Sequence, residues 1–374
     1  MQIQLKPIDE QVVVITGASS GIGLVTAKMA ARAGACVVLA ARNEGDLRRA
    51  VDEIRAAGGR AAYQAVDVAD PDQVARIGDA TVREFGRIDT WVNNAAVAVY
   101  GRVMDLDLRD MRRQFDVIYW GHVHGSRVAV PHLRKQGGAL INVASALADR
   151  AIPLQGNYCA AKHAIKAFTD ALRMELEEEG APISVTLVKP GSIDTPMFEK
   201  SKTYLGVEPQ PVPPVYAPEV VAEAILYCAQ HRVRDIIAGG MGKMLSLAND
   251  FPHLADKYML RTTFDSQKTG RPVGNRPSNL YAPVAHDGGE RGRNWTGRTK
   301  STSFYTTAAL HPGLTTTVAA AGLGLLAAAL LRRRAVSADA PSHGSMPAPV
   351  DARKTAPVVG VNRDEAATRD TVPG

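Results

Sequence analysis

The chain has 374 residues, 45% of them apolar and 22% charged, with 33 glycines and 22 prolines, a composition that builds a globular core and excludes collagen-like, mucin-like and wholly disordered chains. Three cysteines, Cys36, Cys159 and Cys228, stand far apart, which excludes a disulfide scaffold and fits a reducing, cytoplasmic setting. The 44 Lys and Arg against 38 Asp and Glu give a net charge of +6, too mild and too evenly spread for a nucleic-acid partner.

Residues 1–11 form a short polar lead without the basic, apolar character of a signal peptide. VVVIT at 12–16 is a β-branched run and predicts a buried strand, followed by a glycine-rich turn and a helix over 22–33. CVVLAAR predicts the second strand, a helix spans 44–57, and AAYQAVDV is the third strand. A helix over 71–85 leads to IDTWVNNA, the fourth strand, and the pattern continues through ALINVAS, ISVTLVKP and RDIIAG. Strands alternating with helices at this spacing predict an α/β fold with about seven parallel strands covered on both faces. Length alone suggests two or three domains, but this pattern makes one domain of residues 1–250.

The composition changes beyond it. Residues 251–313, with many Gly, Arg, Asn and Pro after 266, predict an extended arm wrapped over the surface or else plain disorder. Residues 314–331 read LTTTVAAAGLGLLAAALL and run into Arg332-Arg333-Arg334. This apolar small-residue helix, 314–334, has three readings: membrane contact, a packing helix or an Ala-rich linker. The tail 335–374 is expected to be disordered.

The first candidate site is Thr16-Gly17-Ala18-Ser19-Ser20-Gly21-Ile22-Gly23, between the first strand and the first helix. Gly17 permits a tight turn, Gly21 lets backbone approach a diphosphate, and Gly23 allows close helix–strand packing, while N–H groups at the helix start face the anion. No acid follows the second strand; Arg42 stands there instead, and its forked donors suit a 2′-phosphate, favouring NADP(H) while leaving NAD(H) open. Asp67, with the Val68 backbone beside it, is placed to accept from an adenine amino group. Asn94 and Ala95 lie at the carboxyl edge of the sheet, where ligands bind in such folds.

Tyr158 and Lys162 are spaced i,i+4 in a helix predicted over 157–178. A neighbouring ammonium lowers a phenol's pKa, so Tyr158 is the candidate general acid and base, and Lys162 also suits ribose hydroxyls. Ser145, at the end of ALINVAS, is placed to hydrogen-bond a carbonyl; no Gly-x-Ser-x-Gly elbow surrounds it, which argues against a hydrolase. His122 and His124, at i,i+2, do not share a helix face, and no metal set forms around them.

Taken in order, Thr16-Gly17-x-x-x-Gly21-x-Gly23, Asp67, Asn93-Asn94-Ala95, Ser145, Tyr158-x-x-x-Lys162 and Pro190-Gly191 resemble the classical short-chain dehydrogenase/reductase family over about residues 8–245. The resemblance implies a doubly wound Rossmann-type fold with a seven-stranded parallel sheet, hydride transfer between NAD(P)(H) and a small-molecule alcohol or carbonyl, and assembly as a homo-dimer or homo-tetramer. It places Pro190, Gly191, Ile193 and Thr195 by the nicotinamide and makes 196–215 a loop covering the substrate. Two positions depart from the family pattern: Ala96 replaces a glycine, and Ile118 stands where the family has a catalytic asparagine. Two further readings therefore stay open. One is a cofactor-binding but catalytically weak sensor or assembly subunit; the other is a membrane-associated reductase of lipid-like carbonyls.

Overall fold

The predicted strands assemble in one sheet. The structure is a computed structural model that describes residues 3–311, 313 and 315. The expected apolar helix at 314–334, apart from Thr315, and the expected tail at 335–374 lie outside the described residues. Strands β1 (Val12–Thr16), β2 (Cys36–Ala41), β3 (Arg60–Ala65), β4 (Thr90–Asn93), β5 (Gly138–Val143), β6 (Ile183–Pro190) and β7 (Asp235–Ala238) pair in parallel. Their order is β7-β6-β5-β4-β1-β2-β3, the doubly wound topology, which reverses between β1 and β4 and opens a crevice at their carboxyl ends.

The alternation of strand side chains decides which helices cover which face. Val13 and Ile15 point into a core shared with α1 (Gly21–Arg32), α2 (Glu44–Ala56) and a later helix, Pro218–Gln230. Val14 and Trp91 point the other way, toward α3 (Pro71–Phe85), α5 (Gly121–Gln136) and the end of α6 (Gly156–Glu178). A short helix, α4 (Leu108–Phe115), precedes α5, and the later helix Pro218–Gln230 is α7.

The region expected as an extended arm begins differently. After α8 (Gly240–Leu247) comes α9, Pro252–Ser266, a helix of 15 residues. Its buried positions are Ala255, Met259 and Thr263, one narrow i,i+4 stripe that carries little apolar signal. Beyond α9 the chain is tied down at two places. Lys268–Pro272 pairs antiparallel with Val207–Pro209, and Thr299–Lys300 pairs with Val215–Tyr216, which in turn pairs with Ser192–Ile193. A further helix, Phe304–Leu310, is capped by Ser303 and buries Leu310 in the first core. The described residues belong to one compact unit, Met1–Thr317. Among them no helix is long and apolar enough to cross a membrane.

Candidate active site

At the switch point the glycine turn is built as its sequence demands. Gly17 and Gly21 have φ of 67° and 55°, a region that side chains other than glycine rarely adopt. A Cβ on Gly23 would lie 2.3 Å from the Gly17 carbonyl oxygen, so helix and turn can approach this closely only there. Asn94 braces the turn from β4: its Nδ2 donates to the carbonyls of Thr16 (2.9 Å) and Gly17 (3.3 Å). Thr16 Oγ1 accepts from the backbone of Asn94 (2.9 Å) and Ala95 (3.2 Å). This cradle fits a dinucleotide diphosphate at the amino end of α1.

Ser145, Tyr158 and Lys162 meet at the same sheet edge. Ser145 follows β5 and its Oγ accepts from Leu147 N at 3.1 Å; the Tyr158 hydroxyl bonds to the Ser145 side chain. Lys162, one turn along α6, is 1% exposed and donates to the Val143 carbonyl at 2.8 Å. Its ammonium lies 5.6 Å from the Tyr158 ring centroid. The expected lowering of the phenol's pKa is not what this packing produces. Burial pushes the Tyr158 hydroxyl well above its ordinary value, opposed by the Ser145 bond, and pulls Lys162 down to about 7.

The Ile118 position explains itself structurally. Ile118 is fully buried in a π-helical turn, Asp116–Trp120, that closes with Gly121 N–H on the Asp116 carbonyl, five residues back. His122 Nδ1 lies 2.7 Å from the Ile118 carbonyl and Nε2 lies 3.3 Å from the Val143 carbonyl, the same oxygen that takes Lys162. Burial first, and the Lys162 charge second, pull His122 to about 3, so the ring is neutral near pH 7 and has one N–H, best placed on Nδ1. Sequence alone showed of His122 only that it shares no helix face with His124 and joins no metal set. The structure ties its Nδ1 to the Ile118 carbonyl one turn back and buries the ring beside the Val143 carbonyl that holds Lys162.

A cleft of about 510 Å³ joins these parts. Gly17, Ser19, Ser20, Gly21, Ile22, Arg42, Asp67, Val68, Asn94 and Ala95 line one end; Ser145, Tyr158, Lys162, Pro190, Gly191, Ile193 and Thr195 line the middle. Gly23 stands behind the turn. The far end is largely apolar, with Ile152, Phe198, Val212, Leu245 and Met259 on it. Asp67 turns its carboxylate to Arg113, with Arg42 at 4.0 Å.

The lining that sequence reasoning missed comes from the arm. Asn279, Pro283 and Asp287 line the cleft, and Leu280 is fully buried. Arg42 donates to the carbonyls of Leu280 (3.3 Å) and Asn279, Asn43 Nδ2 donates to that of Val284 (2.8 Å), and Gly21 N–H to that of Gly289 (2.8 Å). Lys200, the last residue of a short helix after β6, Met197–Lys200, bonds Ser20 Oγ at 2.8 Å and Asp287 at 3.3 Å.

Comparison with known proteins decides the family. The family model for short chain dehydrogenases matches residues 11–205. The chain belongs to the short chain dehydrogenase family. It is 44% identical over 336 residues to the uncharacterized oxidoreductase YxnA of Bacillus subtilis, covering 89% of this chain and 93% of that one. A match of that length leaves out about a tenth of this short chain dehydrogenase and therefore continues past residue 250. It is 36% identical over 191 residues to 11-beta-hydroxysteroid dehydrogenase A of Sesamum indicum, half of this chain and 54% of that one. Among solved structures, a short chain dehydrogenase/reductase from Burkholderia phymatum in complex with NAD superposes with a TM-score of 0.60 at 28% identity, covering 67% of this chain and 97% of that one. The protein is thus an NAD(P)-dependent oxidoreductase with a doubly wound Rossmann-type fold.

Proposed function

We propose that this short chain dehydrogenase transfers a hydride between NADP(H), in preference to NAD(H), and an apolar ketone or aldehyde or the corresponding secondary alcohol. The observation that carries the reading is the meeting of Ser145, Tyr158 and Lys162 in the cleft that also contains the glycine cradle. Bound nicotinamide supplies or takes the hydride at the carbonyl carbon. Ser145 holds the carbonyl oxygen and Tyr158 gives it a proton. A phenol whose pKa is raised by burial keeps that proton at neutral pH and so is loaded as the acid for reduction. Lys162 holds the ribose side of the site and returns protons toward Tyr158, its ammonium resting on the Val143 carbonyl. Arg42 supports the preference for the phosphorylated cofactor.

The apolar far end of the cleft favours hydrophobic carbonyls, and the hydroxysteroid dehydrogenase names among the relatives point the same way. A cytoplasmic homo-dimer or homo-tetramer belongs to this reading. The test is oxidation of NADPH and NADH over short ketones, aldehydes, steroids and long-chain carbonyls. Tyr158→Phe should lose at least about 100-fold in kcat/KM with cofactor affinity unchanged. Full activity in that variant would remove Tyr158 from the chemistry, and tight cofactor binding without turnover on any carbonyl would favour the sensor reading.

A further inference from the structure

The arm brings an acid to the one place where the sequence after β2 lacks one. In dinucleotide folds an acidic residue beyond the second strand accepts from the adenosine ribose and disfavours a 2′-phosphate. Here that strand ends Ala40-Ala41-Arg42-Asn43. Asp287, 268 residues beyond Ser19 in sequence, accepts a hydrogen bond from the Ser19 hydroxyl of the glycine turn. Its backbone N–H donates to Asp46, in the first turn of α2, and Asn43 at the end of β2 donates to the neighbouring Val284 carbonyl. Asp287 is 6% exposed and lines the cleft. It therefore sits between the glycine turn and the start of α2, the region that takes the adenosine ribose in this topology.

We propose that Asp287 is a cofactor-specificity residue, delivered by the arm, that opposes binding of a 2′-phosphate at Arg42. The inference rests on the proposed function for the identity of the cofactor. Its physical basis is charge balance. Three carboxylates, Asp46, Asp67 and Asp287, face three largely buried cations, Arg42, Arg113 and Lys200, and the exposed Arg49, which pairs with Asp46. A 2′-phosphate adds nearly two negative charges to a set whose one surplus positive charge sits on the exposed Arg49, in a place where water screens poorly. A ribose hydroxyl adds none and can donate to a carboxylate. Arg42, whose fork already meets the Asn279 and Leu280 carbonyls, favours the phosphate, and Asp287 works against it. The chain consequently discriminates less between the two cofactors than its arginine alone would dictate.

The test is fluorescence titration of the full-length protein with NADPH and with NADH, without any carbonyl, on wild type, Asp287→Asn, Asp287→Glu and Lys200→Met. Asp287→Asn should raise the NADPH-to-NADH affinity ratio at least about tenfold, the effect of removing one nearby like charge, and Asp287→Glu should keep the wild-type ratio. Lys200→Met leaves Asp287 without its cation and should lower the ratio, so the proposal stays testable if the asparagine variant folds poorly. An unchanged ratio in Asp287→Asn overturns the proposal. So does an equal gain for both cofactors, which would make the arm a general cover. Because binding is read directly, failure to find a reducible carbonyl counts against the proposed function and leaves this result intact.

Discussion

Replacing Lys162 by methionine should make the protein more stable and nearly inactive at once. Lys162 is 1% exposed, and burial alone pulls its ammonium from 10.5 to about 7. The unfolded chain holds that proton throughout this range, so ordering the residue costs stability at pH 7, with an upper bound of about 4 kcal/mol. Methionine keeps the apolar stem and needs no solvation. It forfeits the 2.8 Å bond to the Val143 carbonyl, worth about 1 kcal/mol. The net expectation is a gain of about 1–3 kcal/mol at pH 7, several degrees in Tm for a domain of this size. The pH dependence fixes the sign. Between about 7 and 10.5 the unfolded state binds more protons than the folded state, so this group makes wild-type stability rise with pH. The advantage of Lys162→Met is therefore largest below pH 7 and closes as pH approaches 10.5. Urea denaturation of both proteins at about pH 6, 7.5 and 9 measures it. A variant less stable than wild type at pH 6, or an advantage that does not shrink with pH, would refute the reasoning.

Other outcomes follow from single contacts. Gly23→Ala places a Cβ 2.3 Å from the Gly17 carbonyl, so it should lose about 1–3 kcal/mol of stability and weaken both cofactors in titrations. Gly45→Ala, whose Cβ meets nothing nearer than Asn43 Oδ1 at 3.6 Å, should be neutral or slightly stabilising. Arg42→Ala should weaken NADPH by about tenfold more than NADH; retention of the wild-type ratio would remove Arg42 from phosphate recognition. Leu280→Ala, at a fully buried position of the arm, should cost about 2–4 kcal/mol in chemical denaturation; a loss below about half a kcal/mol would show that the arm does not pack as described.

Much of the site was legible because its requirements are local. VVVIT and ISVTLVKP occupy strands with the bounds their composition predicted, Val12–Thr16 and Ile183–Pro190. Gly17 and Gly21 are glycine because their φ values demand it, and Tyr158 and Lys162 share a helix face because they are four residues apart. The helix at Pro252–Ser266 was hidden by its single stripe of buried side chains. His122 was hidden because a buried polar helix residue looks like surface polarity until its carbonyl partners are known.

The sequence by itself determined the sheet, the cradle and the trio of Ser145, Tyr158 and Lys162, since strand alternation, helix periodicity and positive φ act over a few residues. Only the tertiary structure decided that the arm belongs to the glycine-turn end of the cleft. Its grip on Arg42, Asn43 and Gly21 runs through the backbone carbonyls of Asn279, Leu280, Val284 and Gly289. Every residue has a carbonyl, so such contacts leave no residue type to read. Where arm side chains do take part, as Asp287 with Ser19 and Glu290 with Lys28, the partners stand 268 and 262 residues apart; such pairing is set by where the strand contacts hold the chain, not by any local pattern.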